Sequence, residues 1–332
     1  MVKKDKDLEE IEHTSRLKLQ NIIIGRDKEI EAIKMQLDTV LEGHSALTVI
    51  TGDMGVGKTA LVRASLADLS NLNGSWVYAK FEQYKEKEPY IAIIQIIERI
   101  TNYLLTLPEE KLDRIKKELK KELGKDGALI SGIVPQTERI IGKQRKIKVN
   151  DYQKLKIRLG KTFRTFLSIG TKELYPLIIT VDDVQWADTP SMDIIKAIIE
   201  NLSEDNLYII LVYRNNLEKY RTRMKLTLGE LAGNKDLLEI NLDSLTLKAV
   251  KAMLQDVFGD NIENVNILAR LIHGATLGNP LLIKQMINLL LDNEEICFDS
   301  KKGTWRLETE NIRAYNLPGN IEDIIKQKID DL

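Results

Sequence analysis

Residues 47–59 read LTVITGDMGVGKT, and this stretch carries the strongest structural signal in the chain. Its first residues, LTVI, form a run of β-branched and apolar side chains that predicts a short buried strand. Residues 52–59 then match the spacing G-x-x-x-x-G-K-[ST]. A helical apolar pattern follows over 60–69. The sequence therefore predicts a strand, a glycine-rich loop and a helix in direct succession.

This order of elements is suited to gripping phosphate. Glycines let the main chain fold so that successive N–H groups point inward, and the start of the next helix adds a partial positive charge. In such loops the lysine, here Lys58, reaches the β- and γ-phosphates, and the next hydroxyl, Thr59, binds Mg²⁺. A chance glycine loop is the alternative. The residues predicted to contact the nucleotide here are Gly52, Met54, Gly55, Val56, Gly57, Lys58, Thr59 and Ala60.

A second signal is the apolar run LIITV at 177–181, which ends in Asp182 and Asp183. The carboxyl ends of strands in a parallel sheet face the ligand crevice. Mg²⁺ prefers oxygen ligands, so Asp182 is predicted to anchor the metal, and Asp183 to orient or activate the attacking water. The alternative is that such carboxylates only cap the next helix. We favour that interpretation for Asp188, which precedes Thr-Pro.

Strand and helix signals alternate along the first two thirds of the chain, which predicts an α/β fold with a parallel sheet sandwiched by helices. Further strands are expected at 76–79, 177–181, 208–212 and 237–242. We predict a linker at 1–20, a P-loop NTPase domain at 21–243 and a small helical lid domain at 244–292. The segment 293–332 is expected to be a hairpin and a helix that begin a further, winged-helix-like domain, interrupted by the end of the chain.

Composition excludes several classes of protein. Lys and Arg number 49 against 50 Asp and Glu, so no global field favours nucleic acid, although the basic stretch 138–150 leaves a local acidic partner open against a solvated loop. No apolar run is long enough to span a membrane and no signal peptide is evident, so a cytoplasmic location is expected. The charges of 109–125 alternate in sign and predict a solvent-exposed helix.

Five stretches in this order resemble the STAND branch of P-loop ATPases, and in particular the ATPase module of large bacterial sensor kinases and transcription regulators. The stretches are IIIGRDKEI, TGDMGVGKTALV, LIITVDDVQWAD, IILVYRNN and TLGNPLLI. The resemblance implies that Gly25 and Arg26 lie against the adenine and ribose. It further implies that Arg214 senses the γ-phosphate as a catalytic residue together with Lys58 and Asp183, and that Pro280 closes over the base.

Each of these residues also has a plain structural interpretation. Arg26 could pair with Glu29 or Glu31 on the surface, Arg214 could be solvated, and the turn at 278–280 could be an ordinary helix start. We find no convincing helical arginine after that turn that could act as the second sensor of ring-forming motors. Its lack argues against a hexameric machine. An arginine finger contributes about 10³ to 10⁵ in rate, so a domain that lacks one in the isolated chain is expected to hydrolyse ATP slowly.

The predicted function is therefore a slow ATPase that binds ATP or ADP with Mg²⁺ and acts as a signalling switch, with nucleotide bridging the two domains and setting their arrangement. The expected partners are kinase or sensor domains of a larger chain, and nucleotide-dependent self-association is left open. The alternative is a nucleic-acid-directed AAA+ ATPase of the origin-loader type, which would need a basic winged-helix surface. A non-hydrolysing scaffold is a third class, and the retention of both Asp182 and Asp183 argues against it.

Overall fold

The structure is a computed structural model that describes residues 13–20, 22–72, 74–83, 89–147, 151–200, 207–214, 237–260 and 262–307. The chain divides into two compact units. The sheet unit contains Glu29–Gly52 and Val62–Asn241, and the helical unit contains Met1–Lys28, Asp53–Leu61 and Leu242–Leu332. The glycine-rich loop is thus grouped with the later helices rather than with the sheet, although β1 leads directly into it.

The sheet has five strands in the order β2-β3-β4-β1-β5. They are β1 (Ala46–Gly52), β2 (Ser75–Lys80), β3 (Leu177–Asp182), β4 (Leu207–Val212) and β5 (Leu237–Leu242). The pairs β1 with β4, β3 with β4 and β2 with β3 are all parallel. The predicted parallel sheet is confirmed, and β4 lies between the strand before the loop and the strand that ends in carboxylates.

Strands β3 and β4 are buried at every residue, as the continuous apolar runs predicted. Their register sets the neighbours of the carboxylates. Val181 pairs with Leu211 on one side, and Asp182 pairs with Lys80 on the other. Because parallel strands end at the same edge, the residues just after β2, β3 and β4 meet there.

Helices precede and separate the strands along the chain. They are α1 (Asp27–Leu41), α2 (Lys58–Ser65), α3 (Ile91–Leu105), α4 (Glu109–Leu123), α5 (Gly127–Ile133), α6 (Glu138–Ile141), α7 (Tyr152–Thr171) and α8 (Thr189–Ile199). Buried side chains of α3, α7 and α8, such as Ile97, Phe163 and Ile195, join those of the strands in one apolar core. Asp188 caps α8 by accepting from the Ser191 N–H at 2.8 Å, as predicted.

Helix α4 differs from the prediction of a solvent-exposed helix. Most of its charged side chains are exposed, but Ile115, Leu119 and Leu123 are buried in the core of the sheet unit. These three residues recur every four positions and so form one apolar stripe. A narrow stripe of this kind is sufficient to bury one face of a helix whose composition is strongly charged.

The helical unit contains α9 (Leu247–Phe258), α10 (Val265–Thr276), α11 (Pro280–Asp292) and a hairpin of β6 (Ile296–Asp299) and β7 (Thr304–Leu307). Its own apolar core includes Leu254, Ile272, Ile287 and Trp305. Thr246 caps α9 by accepting from the Ala249 N–H. The helices and hairpin lie close to where the sequence placed them.

Some predictions fall beyond the part of the chain that the structure describes. Residues 13–20 are helical, whereas the earlier part of the predicted linker and the helix predicted after the hairpin lie outside the described residues. The predicted domain boundaries and the winged-helix-like start stay predictions. Among the described residues, no helix combines the length and apolar character required to cross a membrane.

Candidate functional site

The predicted site residues fall into two groups, one in each unit, and each group is described within its own unit. The helical unit contains Gly25, Arg26, the loop after Gly52, and Pro280. The sheet unit contains Asp182, Asp183 and Arg214. All of them lie among the described residues.

The glycine-rich loop follows β1 and ends where α2 begins at Lys58. Gly55 and Gly57 have φ values of 81° and 96°, in the left-handed region that side chains rarely adopt. A Cβ on Gly57 would meet no atom within 4 Å, so the space beside this residue is open. An open space beside main-chain amides at a helix start is what a phosphate group requires.

Lys58 is 8% exposed, and its ammonium donates to the Asp53 carbonyl at 2.7 Å. This bond closes the loop on itself. Thr59 is half-buried and Ala60 is exposed, and both lie in the first turn of α2. The charge of Lys58 and the start of the helix thus lie at the same end of the loop, where both favour an anion.

Arg26 is 7% exposed and binds two carbonyl groups within the helical unit. Its guanidinium donates to the Val56 carbonyl at 3.4 Å and to the Asp243 carbonyl. Gly25 lies against α9, where a Cβ would come within 3.0 Å of Ala249. Arg26 therefore connects the loop to the chain that follows β5.

Pro280 is the first residue of α11, and the preceding Asn279 is its N-cap. The Asn279 Oδ1 accepts from the Leu281 N–H at 3.0 Å, while its Nδ2 donates to the Met54 carbonyl at 2.8 Å. The Leu281 N–H also reaches the Gly55 carbonyl at 3.2 Å. The turn before Pro280 thus contacts the loop through Asn279. The sequence interpretation assigned a role to Pro280 but none to Asn279.

In the sheet unit, Asp182 ends β3 and is 4% exposed. One carboxylate oxygen accepts from the Tyr78 hydroxyl at 2.7 Å, and the other accepts from the Asp183 N–H at 2.8 Å. Tyr78 stands on β2, two residues before Lys80. A side-chain donor and a main-chain donor therefore both hold the Asp182 carboxylate in place.

Asp183 has a φ of 54° and is 7% exposed. Its carboxylate contacts the Lys80 ammonium at 3.1 Å, the Arg214 Nε at 3.2 Å and the Gln185 Nε2 at 2.7 Å. Gln185 in turn accepts from the Arg214 main-chain N–H at 3.0 Å. The ends of β2, β3 and β4 each contribute to this cluster, so Arg214 has a specific carboxylate partner.

Burial acts on the pKa of Asp183 in one direction and its partners act in the other. Desolvation raises the pKa, but hydrogen bonds from Gln185 and Lys80 and the charge of Arg214 together hold it below its ordinary value. The pKa of Tyr78 is raised, first by burial and then by its hydrogen bond to Asp182. At neutral pH the carboxylate is therefore ionised and the tyrosine is protonated.

The carboxylate oxygens at this edge of the sheet fit a hydrated Mg²⁺ better than a metal ion that is held by protein ligands alone. Mg²⁺ usually takes one or two carboxylates and completes its shell with water and substrate phosphates. Among the described residues, no three His, Cys, Asp or Glu side chains are arranged to hold a metal ion. The Tyr78 hydroxyl and the Asp183 N–H each bind one oxygen of the Asp182 carboxylate.

The sequence interpretation missed Asn279, Lys80, Tyr78 and Gln185. An asparagine before proline signals a helix cap, but nothing local signals its bond to a loop 225 residues away. Lys80 and Tyr78 stand on a strand whose neighbour is 104 residues distant. Of these four residues, Gln185 could have been identified from the sequence, because it follows the second carboxylate by only two residues.

The family model for the AAA ATPase domain matches residues 23–212. The chain is 30% identical over 183 residues to hybrid signal transduction histidine kinase G of Dictyostelium discoideum. This match covers 55% of this chain and 5% of that protein. It is 22% identical over 300 residues to the peroxide stress-activated histidine kinase mak2 of Schizosaccharomyces pombe. This match covers 83% of this chain and 13% of that protein. The chain therefore spans only a small part of these relatives.

The solved structures that are similar to this chain include the following two. The ADP form of ORC2 from Aeropyrum pernix has a TM-score of 0.48 at 13% identity, covering 87% of this chain and 67% of that one. The STAND protein with a tetratricopeptide repeat sensor, PH0952 of Pyrococcus horikoshii, has a TM-score of 0.44 at 14% identity. The match covers 94% of this chain and 33% of that one. At these identities the likeness concerns the fold alone.

Proposed function

We propose that this chain, which belongs to the AAA ATPase domain family, binds ATP with Mg²⁺ and hydrolyses it slowly as the regulatory module of a multidomain signalling protein. The observation that carries the proposal is the glycine-rich loop, which has open space beside Gly57 and a buried Lys58 at the start of a helix. The two carboxylates at the end of β3 support it.

Each residue group has a separate task in this proposal. The loop amides and Lys58 bind the phosphates, while Gly25, Arg26 and Pro280 are assigned to the nucleoside. Mg²⁺ supplies charge neutralisation on the phosphates when bound, and Thr59 and Asp182 are its proposed protein ligands. Asp183 orients or activates water, and Arg214 responds to the γ-phosphate.

The surroundings of Asp183 support slow turnover. A general base works best when its pKa lies near the operating pH, whereas the partners of Asp183 hold its pKa below the ordinary value. Its carboxylate also contacts two cations and an amide, which compete with water for the same oxygens. Hydrolysis therefore requires Lys80 or Arg214 to release part of this carboxylate.

The signalling role is supported by the two relatives, both histidine kinases by name. We propose that kinase or sensor domains flank this module in the full protein, and that ATP and ADP select different arrangements of its domains. Moving an equilibrium from 1:99 to 99:1 requires about 5.5 kcal/mol of differential binding, which several charge-assisted phosphate contacts can supply.

Turnover and nucleotide affinity of the wild-type chain test this function. We expect measurable ATP affinity with Mg²⁺, slow release of phosphate, and a different small-angle scattering profile with ATP than with ADP. Duplex DNA added at low and high salt provides the contrast with an origin-loader role. Salt-sensitive DNA binding with stimulated turnover would establish the alternative, and a chain that binds no ATP would refute both.

A further inference from the structure

We propose that Asn279 is a positioning residue for the phosphate loop, which it ties to the start of α11, so that nucleotide affinity depends on this one amide. The inference rests on the proposed function, because it concerns the same loop. Asn279 does not touch the nucleotide in this account. It acts by holding the Met54 carbonyl, and through it the loop.

The Asn279 side chain is used at both of its ends. Its oxygen accepts from the Leu281 and Leu282 N–H groups at 3.0 and 3.4 Å, which caps α11. Its NH₂ group donates to the Met54 carbonyl at 2.8 Å. Serine and aspartate cap helices about as well as asparagine does, but only an amide of this length offers a donor for the loop in addition to the cap.

The backbone around Asn279 is fixed by its neighbours. Leu277 and Gly278 have φ values of 50° and 74°, and the Gly278 carbonyl accepts from the Leu245 N–H at 2.8 Å. A Cβ on Gly278 would overlap the Leu245 carbonyl. The Asn279 N–H donates to the Thr276 carbonyl at 2.9 Å. The side chain therefore starts from a turn with little freedom.

Three successive carbonyls of the loop are bound from outside the loop. Asn279 binds Met54, the Leu281 N–H binds Gly55 at 3.2 Å, and Arg26 binds Val56 at 3.4 Å. In a planar trans peptide the N–H points opposite to the C=O. Holding these carbonyls therefore directs the N–H groups of Gly55, Val56 and Gly57 to the other side, where a phosphate can accept them.

The contact between the turn and the loop is close. A Cβ on Gly55 would lie 2.7 Å from the Asn279 Oδ1 and 2.9 Å from the Leu281 Cβ. Glycine at this position is thus needed for the turn to approach the loop. Of the three bonds to loop carbonyls, the one from Asn279 is the shortest and the one that a single substitution removes without touching a charge.

Asn279→Ser separates the cap from the loop bond. Serine retains the N-cap but is too short to reach the Met54 carbonyl. We expect the loss of this one net hydrogen bond to weaken the affinity for ATP with Mg²⁺ roughly two- to tenfold. Thr246→Ala is the matched control, because it removes an N-cap from α9 in the same unit and no bond to the loop. We expect it to lower stability and leave ATP affinity unchanged.

Hydrogen exchange of the loop amides in nucleotide-free protein gives a readout that helix capping does not move. We expect faster exchange at Gly55–Gly57 in Asn279→Ser and wild-type rates in Thr246→Ala. Wild-type affinity in Asn279→Ser, or an equal loss in both variants, would overturn the role of Asn279 and leave the proposed function intact. A wild-type chain that does not bind ATP would overturn the proposed function itself.

Discussion

The phosphate loop and the carboxylate pair are held in place by different means. Three loop carbonyls accept bonds from Asn279, from a main-chain N–H and from Arg26. The Asp183 carboxylate instead contacts the side chains of Lys80, Arg214 and Gln185. The shape of the loop therefore depends on backbone geometry and packing, whereas the state of the carboxylate depends on charge.

Because of this difference, we expect the loop and the carboxylate to respond differently to pH and to salt. Hydrogen bonds to carbonyl groups do not titrate, so the loop should keep its form over a wide range of pH. Lys80 has a side chain that is 47% exposed, and its pair with Asp183 is therefore open to screening by salt. We expect conditions and charge substitutions to act on hydrolysis more than on nucleotide binding.

The largest expected effect is the loss of hydrolysis in Asp183→Asn. Removal of a general base lowers turnover by about 10²- to 10⁴-fold, while ATP affinity should change little because the loop is intact. The measurement is steady-state phosphate release beside equilibrium ATP binding. Asp193→Asn is the control, since Asp193 pairs with Lys156 on α7 and belongs to neither residue group. Equal turnover in wild type and Asp183→Asn would remove Asp183 from the mechanism.

Gly278→Ala should have the next largest effect, on the free energy of unfolding. A left-handed residue costs about 1–2 kcal/mol, and the overlap with the Leu245 carbonyl adds roughly 1–3 kcal/mol as overpacking does. Gly303→Ala is matched to it, because Gly303 has a φ of 69° in the same unit but open space around it. It should cost only about 1–2 kcal/mol. Urea unfolding measures the free energy of unfolding of both variants. Equal losses of stability would mean that Leu245 does not constrain the turn.

The pH dependence of Lys80→Met gives the smallest of these effects. The pKa of Asp183 lies below its ordinary value, so its ionised form stabilises the fold above the unfolded pKa of about 3.9. That contribution is lost as pH falls through the folded pKa. Removing Lys80 raises the pKa of Asp183 toward its unfolded value, so this contribution to stability should become smaller and its loss should be complete at a higher pH. Arg214, Gln185, Asp182 and Tyr78 remain around the carboxylate.

Thermal unfolding from neutral to acidic pH measures this shift. Lys161→Met is the control, because Lys161 is an exposed residue of α7 in the same unit. Superimposable profiles for Lys80→Met and wild type would show that Lys80 does not set the charge state of Asp183. A shift in ATP affinity instead of stability would contradict the separation between loop and carboxylates.

The parts of the fold that could be predicted depend on local patterns. The spacing of residues 52–59 and the apolar runs of β3 and β4 are each contained in one short stretch. Helix α4 was only half predicted, because its strongly charged composition concealed the stripe of Ile115, Leu119 and Leu123. Chain order also does not reveal that β4 lies between β1 and β3.

The missed site residues depend on contacts between distant parts of the chain. The bond from Asn279 to Met54 requires the path of the whole intervening chain to be known. The pair of Lys80 with Asp183 requires the register of β2 and β3. Once that register is known, both Lys80 and Tyr78 follow directly from the alternation of side chains along a strand.

Equilibrium titration of Lys58→Ala with ATP and Mg²⁺ tests the central claim most directly. The control is Lys248→Ala, which removes an exposed lysine from α9 in the same unit. Charge-assisted hydrogen bonds are worth about 1.5–3 kcal/mol, so we predict that Lys58→Ala weakens binding roughly 10- to 100-fold and that Lys248→Ala binds as the wild type does. Unchanged affinity in Lys58→Ala would contradict the assignment of this loop as the phosphate site.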